Sequence, residues 1–180
     1  MIKLLILDVD GVLTDGNKIY DINHAAIYKK FNDRDFTAIK RFKAGGINVI
    51  FISGDNFNES MAKKRNIDFY CSRGSDLSLD KSRYLQQFKE TYNISIENMA
   101  FVGDDYFDLS IIKKLNYTYC PSNSPQILKD NCSKIIDVKS GEGVIMKLYD
   151  LFKKSGYIKD ASEEDVLELD KEELTSKEMS

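Results

Sequence analysis

Several residue types are scarce in this chain, and each scarcity excludes a class of protein. Only two prolines and ten glycines occur among the 180 residues, too few for a collagen-like or a disordered composition. No apolar run approaches the roughly 18 residues that a membrane-spanning helix needs. The N-terminal apolar stretch already meets a carboxylate at Asp8 and is too short for a signal peptide. We therefore expect neither a membrane protein nor a secreted or fibrous one.

Cysteine and histidine are also rare. The three cysteines, Cys71, Cys120 and Cys132, are an odd number without the spacing of a metal site. We expect reduced thiols and no disulfide framework, which fits a cytoplasmic protein. His24, the only histidine, lies in a predicted turn and is expected to be solvated rather than catalytic.

Charge is distributed unevenly around a net value of −3. Residues 160–180 carry nine acidic residues and two lysines, whereas the rest of the chain has 20 acidic and 24 basic residues. A mildly basic body suits an anionic small molecule, but the dense basic stripe of a nucleic-acid-binding protein is missing. The basic groups at 29–30 and 63–65 are expected on solvated faces. Neither nucleic acid nor a membrane is expected as a partner.

Short apolar runs alternate with helical patterns along the chain. The runs that predict strands are 3–7, 47–52, 67–71, 99–102, 117–120 and 134–137. The predicted helices are 36–44, 58–65, 79–92, 107–115 and 143–154. A further helix is predicted after residue 123, with Ser124 as its cap and Pro125 at its first position. This alternation predicts an α/β fold of three layers, a parallel sheet with helices on both faces.

Two segments depart from the alternation. Residues 17–31 predict a small β-hairpin inserted after the first strand. Residues 159–180 form an acidic tail, expected to be a frayed helix or disordered. The main domain is therefore expected to span residues 1–158, and a chain of this length has no room for a large cap domain.

The first predicted strand runs directly into Asp8 and Asp10, separated by one residue. Two carboxylates with this spacing share a face if the strand continues. Like charges so close are costly unless a cation lies between them, and oxygen ligands of this kind suit Mg²⁺. The alternative is a surface turn, because Asp and Gly favour turns.

Polar residues follow two further predicted strands. Ser53 and Gly54 end the second, where a hydroxyl and free amides can hold a phosphate oxygen, although Ser-Gly is also an ordinary turn. Asp104, Asp105 and Asp108 follow the strand at 99–102 and could complete a magnesium site or only cap a helix. Lys81 could neutralise a phosphoryl group but taken alone is most simply a solvated lysine. Strand ends of a parallel sheet lie at one edge, so chemistry is expected to converge there.

The order and the spacing of these motifs resemble those of the haloacid dehalogenase superfamily of phosphatases. Further motifs at 10–16, 30–35 and 141–144 are similar to its small capless branch. That branch contains the 3-deoxy-D-manno-octulosonate 8-phosphate and 2-keto-3-deoxynononate 9-phosphate phosphatases. The resemblance covers about residues 1–155 and leaves the acidic tail outside it.

The resemblance implies a role for each matching residue. Asp8 would be the nucleophile, and Asp10 would be the general acid and then the base. Mg²⁺ would be held by a carboxylate oxygen of Asp8, the backbone carbonyl of Asp10, and Asp104, with Asp105 and Asp108 in supporting positions. The phosphoryl group would be bound by Ser53, the amides around Gly54, and Lys81. The branch forms homotetramers in which the hairpin helps to close a neighbour's active site, so a homotetramer is expected.

Departures from the branch pattern fall where specificity is set. Thr14, Arg34 and Asp55 are the candidate substrate contacts, and Asp55 replaces the arginine of octulosonate phosphatases. This acid resembles the glutamate of the nononate enzymes and favours that substrate type slightly. Phe36 replaces a glycine and is expected to narrow the entrance, and Met146 stands where the branch has an arginine.

Three functional hypotheses follow from these residues. The leading one is a Mg²⁺-dependent phosphatase that acts on a 2-keto-3-deoxy sugar acid phosphate. The second is a noncatalytic assembly domain, similar to those fused to acylneuraminate cytidylyltransferases, although the acidic motifs and Lys81 are retained. The third is a receiver-like signalling domain, which would place its aspartate after a middle strand, where this chain has Ser53.

Overall fold

Six parallel strands form the central sheet of the computed structural model, which describes residues 1–73 and 80–178, with side chains up to residue 172. The strands are β1 (Leu4–Leu7), β4 (Asn48–Ser53), β5 (Asp68–Cys71), β6 (Met99–Val102), β7 (Tyr117–Pro121) and β8 (Lys134–Ile136). Their order across the sheet is β5-β4-β1-β6-β7-β8, and every neighbouring pair is parallel. The α/β fold with a parallel sheet is therefore confirmed.

Strand β1 lies at the centre of the sheet, which explains why its sequence is apolar without alternation. Leu5 and Leu7 pack into the core on one face, whereas Leu4 and Ile6 pack into the core on the other. All four side chains are buried because helices cover both faces of the sheet.

The helices divide between the two faces. On one face lie α1 (Asp33–Ala44) and α6 (Val144–Lys154), which contribute Phe42 and Phe152 to the core. On the other lie α3 (Leu85–Tyr92), α4 (Leu109–Ile112) and α5 (Gln126–Asn131). The short helix α2 (Glu59–Lys63) packs through Ala62 into the first core. The three predicted layers are therefore present.

Several predicted helix boundaries are wrong. Short 3-10 segments precede α2, α3 and α4, at Asn56–Asn58, Lys81–Tyr84 and Tyr106–Asp108. The predicted start at residue 79 lies outside the described residues. Ser124 does not cap α5, because Pro125 takes the capping position and the Ser124 side chain is buried.

The hairpin and part of the tail form regular elements. Strands β2 (Ile19–Tyr20) and β3 (Ala26–Tyr28) pair antiparallel in a separate two-stranded sheet. The tail contains α7 (Glu163–Glu178), which packs against α1 and pairs Asp170 with Lys40, so these residues take the helical alternative. Within the described residues no helix is long and apolar enough to cross a membrane.

Candidate active site

The three motif-bearing strands end side by side. Strand β1 lies between β4 and β6, so Asp8, Ser53 and Asp104 emerge at the same edge of the sheet. The Asp8 N–H donates to the Val102 carbonyl oxygen at 3.0 Å, which extends the ladder just beyond β1. This edge brings together the motifs that the sequence analysis placed at strand ends.

Lys81 joins two of the buried carboxylates. Its Nζ lies 2.6 Å from Asp8 Oδ1 and 2.6 Å from Asp108 Oδ1, and all three side chains are almost fully buried. Burial lowers the pKa of Lys81, but Asp108 and Asp8 outweigh it and raise the pKa above its ordinary value. Lys81 therefore remains charged, and its interpretation as a solvated lysine is wrong.

Asp8, Asp104 and Asp108 form a carboxylate cluster. One oxygen from each lies within 4.8 Å of the others. Asp108 is held in place because its Oδ2 accepts from the N–H groups of Asp104 at 2.8 Å and Asp105 at 3.1 Å. Asp105 in turn caps the 3-10 turn through Tyr106 N. Close approach here requires glycine, since a Cβ on Gly11 would lie 1.9 Å from Asp104 Oδ2.

The cluster carries more negative charge than its surroundings stabilise. Burial raises the pKa of Asp8 to about 7, with Asp108 and Asp10 adding to the rise while Lys81 opposes it. Burial and the charges of Asp8 and Asp108 raise the pKa of Asp104 to about 9. Anionic oxygens that are buried this closely favour a divalent cation, and hard oxygen donors fit Mg²⁺.

A second network surrounds Asp10. Lys29 Nζ lies 2.8 Å from Asp10 Oδ1, 2.9 Å from Asp55 Oδ2 and 3.0 Å from Asn58 Oδ1. Asn58 Nδ2 donates to Asp10 Oδ2 and to Ser53 Oγ, both at 3.1 Å. The Lys29 side chain is 0% exposed, so the prediction that it lies on a solvated face is wrong. The hairpin therefore delivers a buried ammonium group to the proposed acid–base residue.

Asp55 is neutralised by two lysines. Its Oδ2 lies 2.6 Å from Lys18 Nζ as well as 2.9 Å from Lys29 Nζ. Burial raises the pKa of Asp55, but hydrogen bonds from Lys18, Phe57 N–H and Lys29 outweigh it and hold the pKa well below its ordinary value. A substrate carboxylate would therefore meet a paired Asp55 rather than an isolated negative charge.

These residues surround a pocket of about 520 Å³ that opens over the cluster. A volume of this size is typical of small-molecule sites. The pocket is lined by Asp8, Asp10, Gly16, Lys18, Tyr20, Ala26, Ser53, Gly54, Asp55, Arg73, Lys81, Asp104, Asp105, Phe107 and Asp108. Hairpin residues thus form one wall, and strand ends form the floor.

Three residues singled out from the sequence do not line this pocket. Thr14 is buried, and its Oγ1 accepts from the N–H groups of Gly11 and Gly16, so it shapes the loop instead. Arg34 is exposed at the start of α1. Phe36 packs in the core rather than narrowing the entrance.

The sequence analysis did not assign a role in the site to four residues: Lys18, Lys29, Asn58 and Arg73. Lys29 is placed by a contact that only the fold provides. The bridge between Phe31 and Thr14 returns the hairpin to the loop that carries Asp8 and Asp10, and Lys29 is two residues before Phe31. Asn58 belongs to a 3-10 turn that the sequence does not reveal.

The sequence of this chain is similar to those of known proteins. A family model described as haloacid dehalogenase-like hydrolase matches residues 69–148. The 3-deoxy-D-manno-octulosonate 8-phosphate phosphatase of Escherichia coli K12 is 31% identical over 155 residues, 83% of this chain and 78% of the relative. The Haemophilus influenzae enzyme of the same name is 29% identical over 150 residues, 83% and 82% of the two chains.

Solved structures are similar over most of the chain. The cobalt-bound Haemophilus influenzae phosphatase superposes with a TM-score of 0.77 at 27% identity, covering 86% of this chain and 88% of that one. The Moraxella catarrhalis phosphatase, in complex with a magnesium ion, a phosphate ion and KDO, gives a TM-score of 0.76 at 25% identity, covering 86% and 87%.

Proposed function

Because this chain belongs to the haloacid dehalogenase-like hydrolases and is a phosphatase, we propose that it hydrolyses a 2-keto-3-deoxy sugar acid phosphate with the help of Mg²⁺. One observation carries the proposal: buried Asp8 is paired with Lys81 beside Asp104, beneath a pocket large enough for a sugar acid. The names of the relatives support the substrate class.

The proposed magnesium ligands are a carboxylate oxygen of Asp8, the backbone carbonyl of Asp10 and the carboxylate of Asp104. Asp108 belongs to the same cluster, but Lys81 and two amides already occupy its oxygens, so it supports the site. When bound, Mg²⁺ would offset the charge of the carboxylates and of the phosphoryl oxygens.

Asp8 is the proposed nucleophile. Lys81 holds its Oδ1, and the carboxylate attacks phosphorus in line to form an aspartyl phosphate. As the bond to the sugar oxygen breaks, Asp10 gives that oxygen a proton, and it then deprotonates the water that hydrolyses the intermediate. Lys29 and Asn58 keep the Asp10 carboxyl in a fixed position for both steps.

Ser53 and the amides near Gly54 are the proposed phosphate contacts. Ser53 Oγ accepts from Asp55 N–H and Asn58 Nδ2, which leaves its own hydroxyl proton available for a phosphoryl oxygen. Arg73 lies over Gly54, since a Cβ added at Gly54 would lie 2.9 Å from Arg73 Nε. Arg73 therefore adds positive charge to the pocket beside these phosphate contacts.

Two sugar acids compete as the substrate. The octulosonate phosphate is favoured by the relatives, whereas Asp55 resembles the residue of nononate phosphatases. Because Asp55 is paired with Lys18 and Lys29, it does not exclude a substrate carboxylate, and its oxygens can accept from sugar hydroxyls. We propose the octulosonate first and the nononate second.

The hairpin also supports the proposal of a homotetramer. Ile19, Tyr20, Ile22 and Tyr28 are each more than half exposed, an apolar surface that a neighbouring subunit could cover. Light scattering and the hairpin variant Ile22→Lys test this assembly. A cytoplasmic location rests on composition alone, and cell fractionation tests it.

The experiment for the proposed function is a phosphate-release panel. Octulosonate, nononate and acylneuraminate phosphates and p-nitrophenyl phosphate are offered with Mg²⁺, and Asp8→Asn is the control. We expect one keto-deoxy sugar acid phosphate to be preferred and Asp8→Asn to lose turnover while keeping its fold. Absence of turnover on all four compounds would support the noncatalytic assembly domain instead, and equal turnover by Asp8→Asn would reject the nucleophile.

A further inference from the structure

Two cysteines outside the pocket are in direct contact. Cys120 lies in β7 and Cys132 directly follows α5, and their sulfur atoms are 3.4 Å apart. All three cysteines are free thiols in the structure. Cys71 lies on β5, at the far edge of the sheet, where its Sγ contacts the Arg73 carbonyl oxygen at 3.5 Å.

The two thiols differ in exposure and acidity. Cys120 is fully buried, whereas Cys132 is half-buried. The hydrogen bond from Cys120 lowers the pKa of Cys132 to about 7, and the same contact together with burial raises the pKa of Cys120. Cys132 is therefore partly thiolate near neutral pH, and the thiolate is the reactive form.

We propose that Cys120 and Cys132 are a reversible thiol–disulfide site that low-molecular-weight disulfides such as oxidised glutathione can close. The Cys132 thiolate attacks one sulfur of the small disulfide, whose S–S bond breaks and releases one thiolate. Cys120 then attacks Cys132 Sγ and expels the second small thiolate, which takes up the Cys120 proton and leaves as a thiol. The protein loses two electrons and two protons, and one small disulfide becomes two thiols.

Closure of the pair needs a small movement of the two sulfur atoms. A disulfide needs a sulfur separation of about 2.05 Å, so the two atoms must approach by about 1.4 Å. The residue after Cys132 is already anchored to β7, since Ser133 N–H donates to the Thr118 carbonyl oxygen at 2.9 Å.

The pair is also connected to the edge of the sheet that carries Asp8, Ser53 and Asp104. The Gly103 N–H donates to the Tyr119 carbonyl oxygen at 3.1 Å, so Cys120 follows a residue bonded to the loop that carries Asp104. Helix α5, which ends before Cys132, packs against the 3-10 turn Tyr106–Asp108. A bond between the cysteines would thus join two elements that support the carboxylate cluster.

Mass spectrometry of the full chain tests the proposal. Reduced protein is treated with oxidised glutathione, alkylated, and analysed intact and as peptides. We expect two of the three thiols to be lost, a single cross-link between the Cys120 and Cys132 peptides within one chain, and full recovery with dithiothreitol. Three thiols that stay alkylatable, a cross-link to Cys71, or a glutathione adduct that persists on Cys132 would overturn it.

Variants give matched controls. Cys71→Ala should still form the cross-link, and Cys132→Ala should lose both the cross-link and the glutathione reaction. Cys120→Ala should stop at the glutathione adduct on Cys132, because the second thiol is missing. Since the cross-link is measured in the wild-type chain, a poorly folded Cys120→Ala protein would not alter the outcome.

Discussion

Lys29→Met is the sharpest test of the second network in the site. The change keeps an unbranched side chain in the same space and removes the ammonium that contacts Asp10, Asp55 and Asn58 at 2.8 to 3.0 Å. Asp55 keeps Lys18 as a partner, whereas Asp10 keeps, among the described side-chain contacts, only the hydrogen bond from Asn58. Asp10 is therefore the group that the change affects most.

The size of the effect follows from the contact that is lost. A hydrogen bond to a charged group contributes about 1.5–3 kcal/mol, and this contact is buried on the lysine side, although Asp10 is partly exposed. If that energy holds Asp10 in its reactive position, kcat should fall by about 10- to 150-fold. KM should change less, because the proposed phosphate contacts through Ser53 and Lys81 remain.

Steady-state kinetics with the preferred substrate measure both constants. Lys30→Met is the matched control, since Lys30 is the next residue of the hairpin and is exposed. We expect wild-type kinetics for the control and restoration of part of kcat by Lys29→Arg. A folded Lys29→Met enzyme with unchanged kcat would show that the network has no positioning role.

Three further changes test other parts of the structure. Gly11→Ala should abolish turnover and weaken Mg²⁺ binding, measured by calorimetry, because the added Cβ would lie 1.9 Å from Asp104 Oδ2. Gly46→Ala is the control, because Gly46 has a similar positive φ but no neighbour within 4 Å of an added Cβ, and this variant should stay active. Asp35→Ala removes the acceptor of two α6 amides and should cost about 1–2 kcal/mol, or about 2–8 °C in Tm, by calorimetric melting, whereas exposed Asp33→Ala should cost less. The raised pKa values of Asp8 and Asp104 mean that the cation-free folded state binds more protons than the unfolded state, so the stability of the folded state should fall as pH rises from about 4 towards 9. Mg²⁺ should therefore raise Tm more at about pH 9 than at about pH 5. An equal rise in Tm at both pH values would contradict this electrostatic account.

The central layer of the fold could be predicted because its pattern is local. A parallel strand buried on both faces must be apolar throughout, as in Leu4–Leu7, and its end must carry the first polar groups, here Asp8. The same reasoning located Ser53 and Asp104. Helix ends could not be predicted as well, because 3-10 turns such as Tyr106–Asp108 depend on contacts made only in the folded chain.

Partners distant in sequence account for most of what was missed. Lys29 is 19 residues from Asp10 and 26 from Asp55, and nothing in its neighbourhood distinguishes it from the exposed Lys30. Lys81 was assigned through the resemblance, since its own sequence context suggests only a solvated lysine. Burial of a lysine is costly unless acids surround it, and the acids that surround Lys29 and Lys81 come from distant parts of the chain.

The site therefore consists of two electrostatic halves with different origins. Lys81 balances Asp8 and Asp108 on the strand ends, where the backbone is fixed by the sheet and where the sequence keeps the family motifs. Lys29 balances Asp10 and Asp55 from the hairpin, and Asp55 is one of the positions where the chain departs from those motifs. If Asp55 contacts the sugar as proposed, a change in Asp55 can alter the sugar that is accepted without disturbing the Lys81 half, because the two lysines share no carboxylate in the described ion pairs. Chemistry and specificity can then change independently, as long as Asp10, the proposed acid–base residue, keeps its position.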